Sequence, residues 1–337
     1  MGKTYTIKEF GQKYFSNYHY INFEEDEKVG KIDFLPMYPM SFREFLLGIE
    51  ENRSYDYLEN CKLDTNVPEI FHTRLWELLK IYFITGGLPE VVRLYNENKY
   101  DLYKALQLVR DKQNILILGY EADMAKHSGK QNSMHINRLW RNIPQQLAKE
   151  QNGSAPKFKF KDVIPGIKGY ERLAGIIDWL GTAGLIIKTY IINTARIPLS
   201  AYKEENFFKL YFFDIGILGA ISKLSPKSIL DYDYGTYKGY FAENFAAREF
   251  VCSGIDTLFC WREGTSEVEF LREIDGKIFP IEIKSGWVTR ARSLDVFSGK
   301  YSPGYRVIMG ARGLNIDLKR NVHRYPLYLA SRFPLSG

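Results

Sequence analysis

Apolar residues in the first half of the chain recur with the spacing of amphipathic helices. Ser41 suits the cap of a first helix, and the apolar residues that follow it fall on one helical face. The same spacing returns over residues 72–84, where a Gly-Gly pair ends it, and over residues 101–127. The pattern therefore predicts a mainly helical region over residues 28–130.

Several residues in and after this region are interpreted as structural. Gly86 and Gly87 end a helix, and Pro89 suits the first turn of the next helix. Asp123 and Asp214 have no partner that the sequence reveals, so we expect them to cap helices or to join ion pairs. The five histidines show no metal-ligand spacing.

The pattern over residues 131–215 predicts helices followed by two strands. A helix over 136–150 and a second long helix over 170–186 precede strands at 185–192 and 207–214. Helices followed by a strand and a return strand are the order of a winged helix. This part of the chain is therefore predicted to be a winged-helix-like domain.

Beyond residue 216 the pattern changes to short strands mixed with helices. In chain order it predicts a helix at 239–252, strands at 257–263, 267–274 and 278–285, a helix at 293–301, a strand at 305–311 and a last apolar run at 325–330. The Asp275-Gly276 pair marks a hairpin turn. The chain as a whole is predicted to be a mixed α/β protein with several domains, the last of which covers residues 216–337.

Two strands of this last domain carry charged residues on one face. A strand alternates its side chains with period 2, so Glu267 and Glu269 lie on one face of the first strand and Val268 and Phe270 on the other. On the next strand Glu282 and Lys284 share a face in the same way, opposite two isoleucines. The hairpin between the strands brings these charges together.

Carboxylates and a lysine in this arrangement suit the hydrolysis of a phosphodiester. Glu269 and Glu282 are candidate ligands for Mg²⁺, which would activate a bound water. Lys284 would orient that water or balance phosphate charge, and Glu243, on the preceding helix, would complete the ring. These four residues are the candidate catalytic residues. The alternative interpretation is ordinary cross-strand pairing of Glu and Lys on a solvated face.

Charge is distributed unevenly along the chain. The formal net charge is +6, but beyond Lys284 nine Lys and Arg residues and two Asp residues give +7. The candidates for phosphate contacts are Arg290, Arg292, Lys319, Arg320 and Arg324. We expect weak, sequence-independent DNA binding that falls steeply with salt. The alternative is that these residues solvate the surface or pair with acids elsewhere.

The cysteines and the hydropathy limit the classes of protein to which the chain can belong. Cys61, Cys252 and Cys260 are odd in number and form no CxxC pair, so neither a disulfide framework nor a zinc site is expected. The longest apolar runs fall short of the roughly 20 residues of a membrane helix. The sequence predicts a cytoplasmic protein without a membrane partner.

The N-terminus contains an incomplete nucleotide-binding motif. Gly2, Lys3 and Thr4 resemble the end of a P-loop, which requires GxxxxGK[ST] after a strand. The first glycine and the preceding strand are not in the sequence, although residues 19–26 form a plausible second strand. Residues 1–27 are interpreted as the remnant of a P-loop ATPase domain that does not form a working nucleotide site.

Many strings along the chain resemble one family. In order they are VGKIDFLPMYPMSFREFL at 29–46, GGLPEVV at 86–92, GYEADM at 119–124, IPQQLAKE at 143–150, IDWLGTAGLI at 177–186, PLSAY at 198–202, FKLYFFDIGIL at 208–218, GYFAENFAAREF at 239–250, and EVEF with IEIKSG between 267 and 286. They are similar to strings of the bacterial and archaeal AAA-type ATPases that carry a C-terminal domain of unknown function.

The resemblance covers about residues 29–330 and implies three parts. These are a P-loop ATPase that binds ATP, a winged-helix region and a C-terminal domain like the PD-(D/E)XK nucleases. This chain departs from the family at Glu269, where the strand acid is usually Asp. It also runs from INFEEDEK directly into VGKIDF, which implies that most of the ATPase domain is deleted and that the chain alone does not hydrolyse ATP.

Two hypotheses of function follow. The first is a truncated member of this ATPase family with a DNA-associated, nuclease-like C-terminal domain that uses Mg²⁺. The second is a non-catalytic scaffold that binds proteins, in which the carboxylates are a relic.

Overall fold

The computed structural model describes residues 37–336, except for residues 66, 129, 150–156, 232–237 and 285–290, together with residues 9, 12 and 13. In this part of the chain, helices pack against one mixed eight-stranded sheet, which confirms the expected α/β fold class. Gly2, Lys3, Thr4 and Arg290 lie outside the described residues, as does almost all of the P-loop remnant. No helix in the described ranges has the length and apolar character that a membrane span requires.

The predicted helical region is confirmed where the structure describes it. The helices are α1 (Phe42–Gly48), α2 (Asn52–Glu59), α3 (Glu69–Thr85), α4 (Pro89–Asn98), α5 (Leu102–Ser128) and α6 (Lys130–Lys149). Ser41 caps α1, since its hydroxyl accepts from Glu44 N while the Glu44 carboxylate accepts from Ser41 N. Gly86 ends α3 and Pro89 begins α4, as expected.

The middle of the chain differs from the prediction in one respect. The expected long helix over 170–186 divides into a 3₁₀ turn (Tyr170–Arg172) and a short helix, α7 (Ala174–Thr182). Gly184 then adopts a positive φ of 69° and turns the chain into the next strand. Strands β1 (Ile186–Ile192) and β2 (Phe208–Phe212) form the expected antiparallel hairpin.

The remaining elements keep the predicted order and include two helices and two strands that the sequence did not predict. They are α8 (Ile215–Ile221), α9 (Pro226–Leu230), α10 (Lys238–Cys252), β3 (Leu258–Glu263), β4 (Ser266–Ile274), β5 (Lys277–Ile283), α11 (Arg292–Tyr301), β6 (Arg306–Gly310), β7 (Asn315–Asp317) and β8 (Val322–Pro326). Asp275 and Gly276 both have positive φ in the tight turn between β4 and β5. The last apolar run is a 3₁₀ helix (Leu327–Arg332) after the unexpected strands β7 and β8.

The hairpin β1–β2 is part of the C-terminal sheet. The strand order is β2-β1-β3-β4-β5-β6-β8-β7, and β1 pairs with β3 in parallel. Val307 and Met309 on β6 pack in a larger core that also holds the helical region and α10, whereas Ile308 packs in a smaller core under α11. The strands expected in the winged-helix-like domain therefore share one sheet with the strands of the last domain.

Strand β4 contains a bulge where it passes β3. Trp261 pairs with Val268, whereas Phe259 pairs with Leu271, so β4 has one extra residue over this stretch. Val268 packs in the smaller core and Phe270 in the larger core. The expectation that Val268 and Phe270 share a face is wrong, because an extra residue reverses the alternation of the side chains after it.

A buried polar network around Arg248 joins several of the strings that resemble the ATPase family. The Arg248 guanidinium donates to the Tyr82 hydroxyl and to the carbonyl oxygens of Pro39 and Met40. It also lies 3.2 Å from Glu249 Oε1. Arg248 and Glu249 belong to α10, so this network ties the segment before α1 and the end of α3 to the last domain.

Asp214 completes the network and is confirmed as a helix cap. Its Oδ1 accepts from Ile217 N at 2.9 Å at the start of α8, and its Oδ2 accepts from Gly87 N at 2.7 Å. Gly86 has φ 69° and ψ −166°, a conformation that residues with a Cβ rarely adopt. Asp123 lies exposed in the interior of α5, so it does not cap a helix.

We expect Gly86→Ala to lower the free energy of unfolding by about 2–3 kcal/mol, because the positive φ is strained and the new Cβ would lie 2.2 Å from Asp214 Oδ1. Urea denaturation measures this loss. The matched control is Gly119→Ala in α5, where a Cβ meets nothing within 4 Å and should stabilise the helix. Equal stabilities of the two variants would contradict the role assigned to Gly86.

Candidate functional site

The structure brings the four candidate catalytic residues together and adds two more charged groups to them. Glu243 comes from α10, Glu269 from β4 and Glu282 from β5, and Lys284 is the first residue after β5. Glu267 on β4 and Lys209 on β2 complete the group. These six residues are called the carboxylate cluster below. Each of the four predicted residues influences the ionisation of at least one of the others.

Lys209 is the central cation of the carboxylate cluster. Its side chain is fully buried, and its Nζ lies 2.5 Å from Glu267 Oε1 and 3.4 Å from Glu243 Oε2. Tyr211 lies two residues later on the same face of β2, and its hydroxyl donates a hydrogen bond to Glu243 Oε2 at 2.7 Å. Burial by itself lowers the pKa of Lys209, but the Glu243 carboxylate and other nearby groups hold it well above its usual value. Lys209 is therefore charged.

The two strand carboxylates are held close to the backbone and to Lys284. Glu269 Oε2 accepts from Ile283 N at 3.2 Å, and Lys284 Nζ donates to Glu282 Oε1 at 2.5 Å. Glu269 and Glu282 are each only 4% exposed. Glu282 Oε2 is buried and has no hydrogen-bond partner among the described residues.

Burial also changes the ionisation of these carboxyl groups. It raises the pKa of Glu269 well above its usual range, and the Glu282 and Glu243 carboxylates raise it further. Burial raises the pKa of Glu282 as well, although Lys284 opposes the shift. Both pKa shifts favour the protonated form, so Glu269 and Glu282 retain a proton more readily than exposed carboxyl groups do.

The charges of the carboxylate cluster almost balance without a metal ion. Arg262 lies 3.8 Å from Glu267, so four carboxylates are matched by Lys209, Lys284 and Arg262. One proton shared by Glu269 and Glu282, whose pKa values are both raised, would make the group neutral. A buried group of charges is stable only when it is compensated in this way.

The ion pairs of the cluster leave few free oxygens for the expected Mg²⁺ ion. Mg²⁺ requires several carboxylate or water oxygens in octahedral geometry at about 2.1 Å. Lys209 already occupies oxygens of Glu243 and Glu267, and Lys284 occupies one of Glu282. Across the described ranges, no group of three or more His, Cys, Asp or Glu side chains has the arrangement of a metal site.

Sequence reasoning missed Lys209 and Tyr211. A signal for them exists, because Lys209 is the only charged residue in the strand FKLYF, and its neighbours along the chain are aromatic or apolar. Every residue of this strand is buried. A lysine in such a strand must meet an acid, and the acids that it meets are 34 and 58 residues further along the chain.

Among the described basic residues that were expected to contact DNA, Lys319 and Arg320 lie away from the carboxylates. Lys284 follows the C-terminal end of β5, whereas Lys319 and Arg320 precede the N-terminal end of β8. Strands β5, β6 and β8 are parallel, so these residues lie at opposite ends of the sheet, separated by roughly 15 Å along the strands. The expected adjacency is therefore wrong for Lys319 and Arg320. Arg292 begins α11, and Arg324 is partly buried in β8.

Several other bases in this region form ion pairs, in agreement with the alternative interpretation of the charge. The pairs are Lys300 with Glu263, Arg306 with Asp295, Arg320 with Asp317 and Arg332 with Glu59. Arg324 donates to Asn315 Oδ1 at 3.4 Å. Two of these pairs, Lys300 with Glu263 and Arg332 with Glu59, use acids elsewhere in the chain, so they compensate part of the net charge beyond Lys284.

Two family models match the chain. The first is described as a domain of unknown function, DUF8612, and matches residues 76–228. The second is described as a domain of unknown function, DUF4143, and matches residues 238–329; this domain is typically associated with AAA-type ATPases. No curated protein and no solved structure matches the chain. Neither description names a nuclease or a nucleotide-binding domain.

The pH dependence of unfolding tests the ionisation of Glu269. A carboxyl group with a raised pKa in the folded chain stabilises the fold below its unfolded pKa, about 4.3, and this contribution is lost as the pH rises through the folded pKa. We therefore expect Glu269→Gln, which keeps an oxygen for Ile283 N, to lose less stability than the wild type as the pH rises above about 4.3.

Urea denaturation at several pH values measures this difference. The matched control is Glu263→Gln, which removes an exposed carboxylate paired with Lys300 at the end of β3. Its stability should follow that of the wild type at each pH. Parallel pH profiles for Glu269→Gln and the wild type would show that Glu269 is ionised in the folded chain.

Proposed function

We propose that this chain is a non-catalytic scaffold that binds a protein partner, and that its carboxylate cluster stabilises the fold. The observation that carries the proposal is the fully buried ammonium group of Lys209, which lies against Glu243 and Glu267. An ammonium group in this position does for the carboxylates what a divalent cation does in a hydrolytic site. It neutralises them, but it cannot activate water.

The accessibility of the cluster supports the same proposal. A phosphodiester must reach the groups that hydrolyse it, yet Glu243 is completely buried, and Glu269 and Glu282 are nearly so. Lys284 is the most accessible of the four candidate catalytic residues, with 24% of its side chain exposed. Lys284 is therefore more accessible to a DNA backbone than Glu243, Glu269 or Glu282.

The partner that we propose is a protein with an AAA-type ATPase domain. The proposal rests on the match of residues 238–329 to a domain typically associated with such ATPases.

A second candidate is a Mg²⁺-dependent phosphodiesterase that acts on DNA. The unpartnered Glu282 Oε2 favours it, because a buried carboxylate oxygen without a donor is available to a metal ion. Arg292 and Lys284 would then contact phosphates near the site. This candidate requires Lys209 to leave at least one carboxylate when the metal binds.

Metal binding and cleavage separate the two candidates. Mg²⁺ and Mn²⁺ at millimolar concentration are added to the wild type and to Glu282→Ala, and thermal unfolding and cleavage of labelled single- and double-stranded DNA are measured. The scaffold proposal expects no rise in Tm and no cleavage. Metal-dependent cleavage that Glu282→Ala abolishes would overturn it and establish the second candidate.

The partner is tested separately. Affinity capture with the full chain should recover a protein that contains a complete P-loop ATPase domain, and the purified pair should form a complex in size-exclusion chromatography. Failure of the purified pair to associate would contradict the proposed partner.

A further inference from the structure

A cavity of about 530 Å³ lies among α5, α6 and the turn from α8 to α9. It is on the helical side of the molecule and shares no residue with the carboxylate cluster or with the Arg248 network. Its polar and apolar lining includes Arg110, Asn114, Leu118, Arg141, Lys223 and Pro226. A volume of this size suits a small organic molecule.

Arg110 is the unusual residue of this cavity. Its guanidinium donates to the carbonyl oxygens of Gly216 at 3.3 Å and Leu224 at 3.1 Å, and to Gln113 Oε1 at 2.9 Å. These acceptors are all neutral. In the part of the chain that the structure describes, Arg110 Nε is buried without a hydrogen-bond partner, and no carboxylate pairs with the guanidinium.

The electrostatics agree with this geometry. Burial lowers the pKa of Arg110 to about 10, and no nearby acid counters the shift. A guanidinium with that pKa is still charged at neutral pH, so the cavity contains a cation that lacks a counter-ion. Removing a charge from water without compensation is costly, and an anion in the cavity would remove the cost.

Two further cations line the same cavity. Lys223 lies exposed just after α8. Arg141 on α6 pairs with Glu121 at 2.5 Å through one edge of its guanidinium, and 44% of its side chain is exposed. The cavity also has an apolar side formed by Leu118, which is 65% exposed, and Pro226. A ligand with one charged end and one apolar end would match both sides.

We propose that this cavity binds a small organic anion, with a phosphate or carboxylate group against Arg110 and Lys223 and an apolar group against Leu118 and Pro226. Charged hydrogen bonds from a guanidinium to such oxygens are short and strong. The apolar contact adds affinity that an inorganic anion cannot obtain. The proposal does not depend on the scaffold function or on the carboxylate cluster.

Isothermal titration calorimetry with four probes tests the proposal on the full chain. Phenyl phosphate and benzoate carry the two anionic groups, inorganic phosphate lacks the apolar part, and phenol lacks the charge. We expect phenyl phosphate or benzoate to bind more tightly than inorganic phosphate, and phenol to show no binding at millimolar concentration. The better of the two aromatic anions identifies the charged group that the cavity prefers.

Variants locate the site. Lys223→Gln should weaken the binding of the aromatic anion about tenfold, since one charge-assisted contact is lost. Lys227→Gln is the matched control, because Lys227 is an exposed lysine on the adjacent helix that does not line the cavity. Arg110→Gln should abolish binding, and its Tm shows whether the variant is folded.

Three results would overturn the proposal. The first is the failure of both aromatic anions to bind the wild type at millimolar concentration. The second is phenol binding as tightly as the anions, which would make the cavity an apolar site. The third is unchanged affinity in Lys223→Gln together with unchanged affinity in a folded Arg110→Gln.

Discussion

Lys209→Met is expected to lower the free energy of unfolding by about 3–5 kcal/mol, the usual cost of removing one partner from a buried ion pair. The methionine fills a similar volume, so the loss reports the charge. Without the ammonium group, the Glu243 and Glu267 carboxylates lose the cation that lies between them. Urea denaturation at pH 7 measures the loss.

Two further variants identify the origin of this loss. Lys203→Met removes an exposed lysine that pairs with Glu205, and it should lower stability far less than Lys209→Met does. The double variant Lys209→Met/Glu243→Gln should recover part of the stability, because it removes a carboxylate that has lost its cation. A loss below about 1 kcal/mol in Lys209→Met would show that the cluster does not depend on this cation.

Arg248→Met is expected to cause a loss of similar size, about 3–5 kcal/mol. Arg248 is almost completely buried, and its removal takes one donor from each of the carbonyl oxygens of Pro39 and Met40 and leaves Glu249 without its cation. Chemical denaturation measures the loss in stability. Hydrogen exchange should show in addition that the segment before α1 opens more readily than it does in the wild type.

The control for this variant is Arg93→Met on α4. Arg93 is 70% exposed and forms an i,i+4 pair with Glu97 at 3.7 Å, so its removal should change stability by less than about 0.5 kcal/mol. Unchanged exchange at residues 39–46 in Arg248→Met would show that the network does not hold the segment before α1.

The members of the carboxylate cluster that the sequence predicted are those fixed by local rules. Period-2 alternation, the Asp275-Gly276 turn and the preceding helix relate Glu243, Glu269 and Glu282 over a short stretch of chain. Lys209 could not be placed in the same way. It reaches the cluster only because β1 pairs with β3 in parallel, and no residue between them specifies that pairing.

The wrong prediction for the basic residues has the same cause, since the sequence does not specify how distant strands pair. Lys319 and Arg320 follow Lys284 closely in sequence, and proximity along the chain suggested one surface. In a set of parallel strands, the start of one strand and the end of another lie at opposite ends of the sheet. Lys284, which follows β5, is therefore far from Lys319 and Arg320, which precede β8. The sequence predicted that the Gly86-Gly87 pair ends a helix, but it did not predict the close approach of this pair to Asp214.

The continuous sheet has a consequence for how this chain can be divided or exchanged. One family model stops at residue 228 and the other starts at residue 238, yet Lys209 lies in the first match and Glu243 in the second. A fragment that contains only one of the two matched regions would leave a buried charge without its partner. It would also expose the edge of β1 or β3, and an exposed strand edge can pair with another chain. Recombination between homologues therefore has to transfer both regions together, and two halves produced separately should be soluble only when they reassemble.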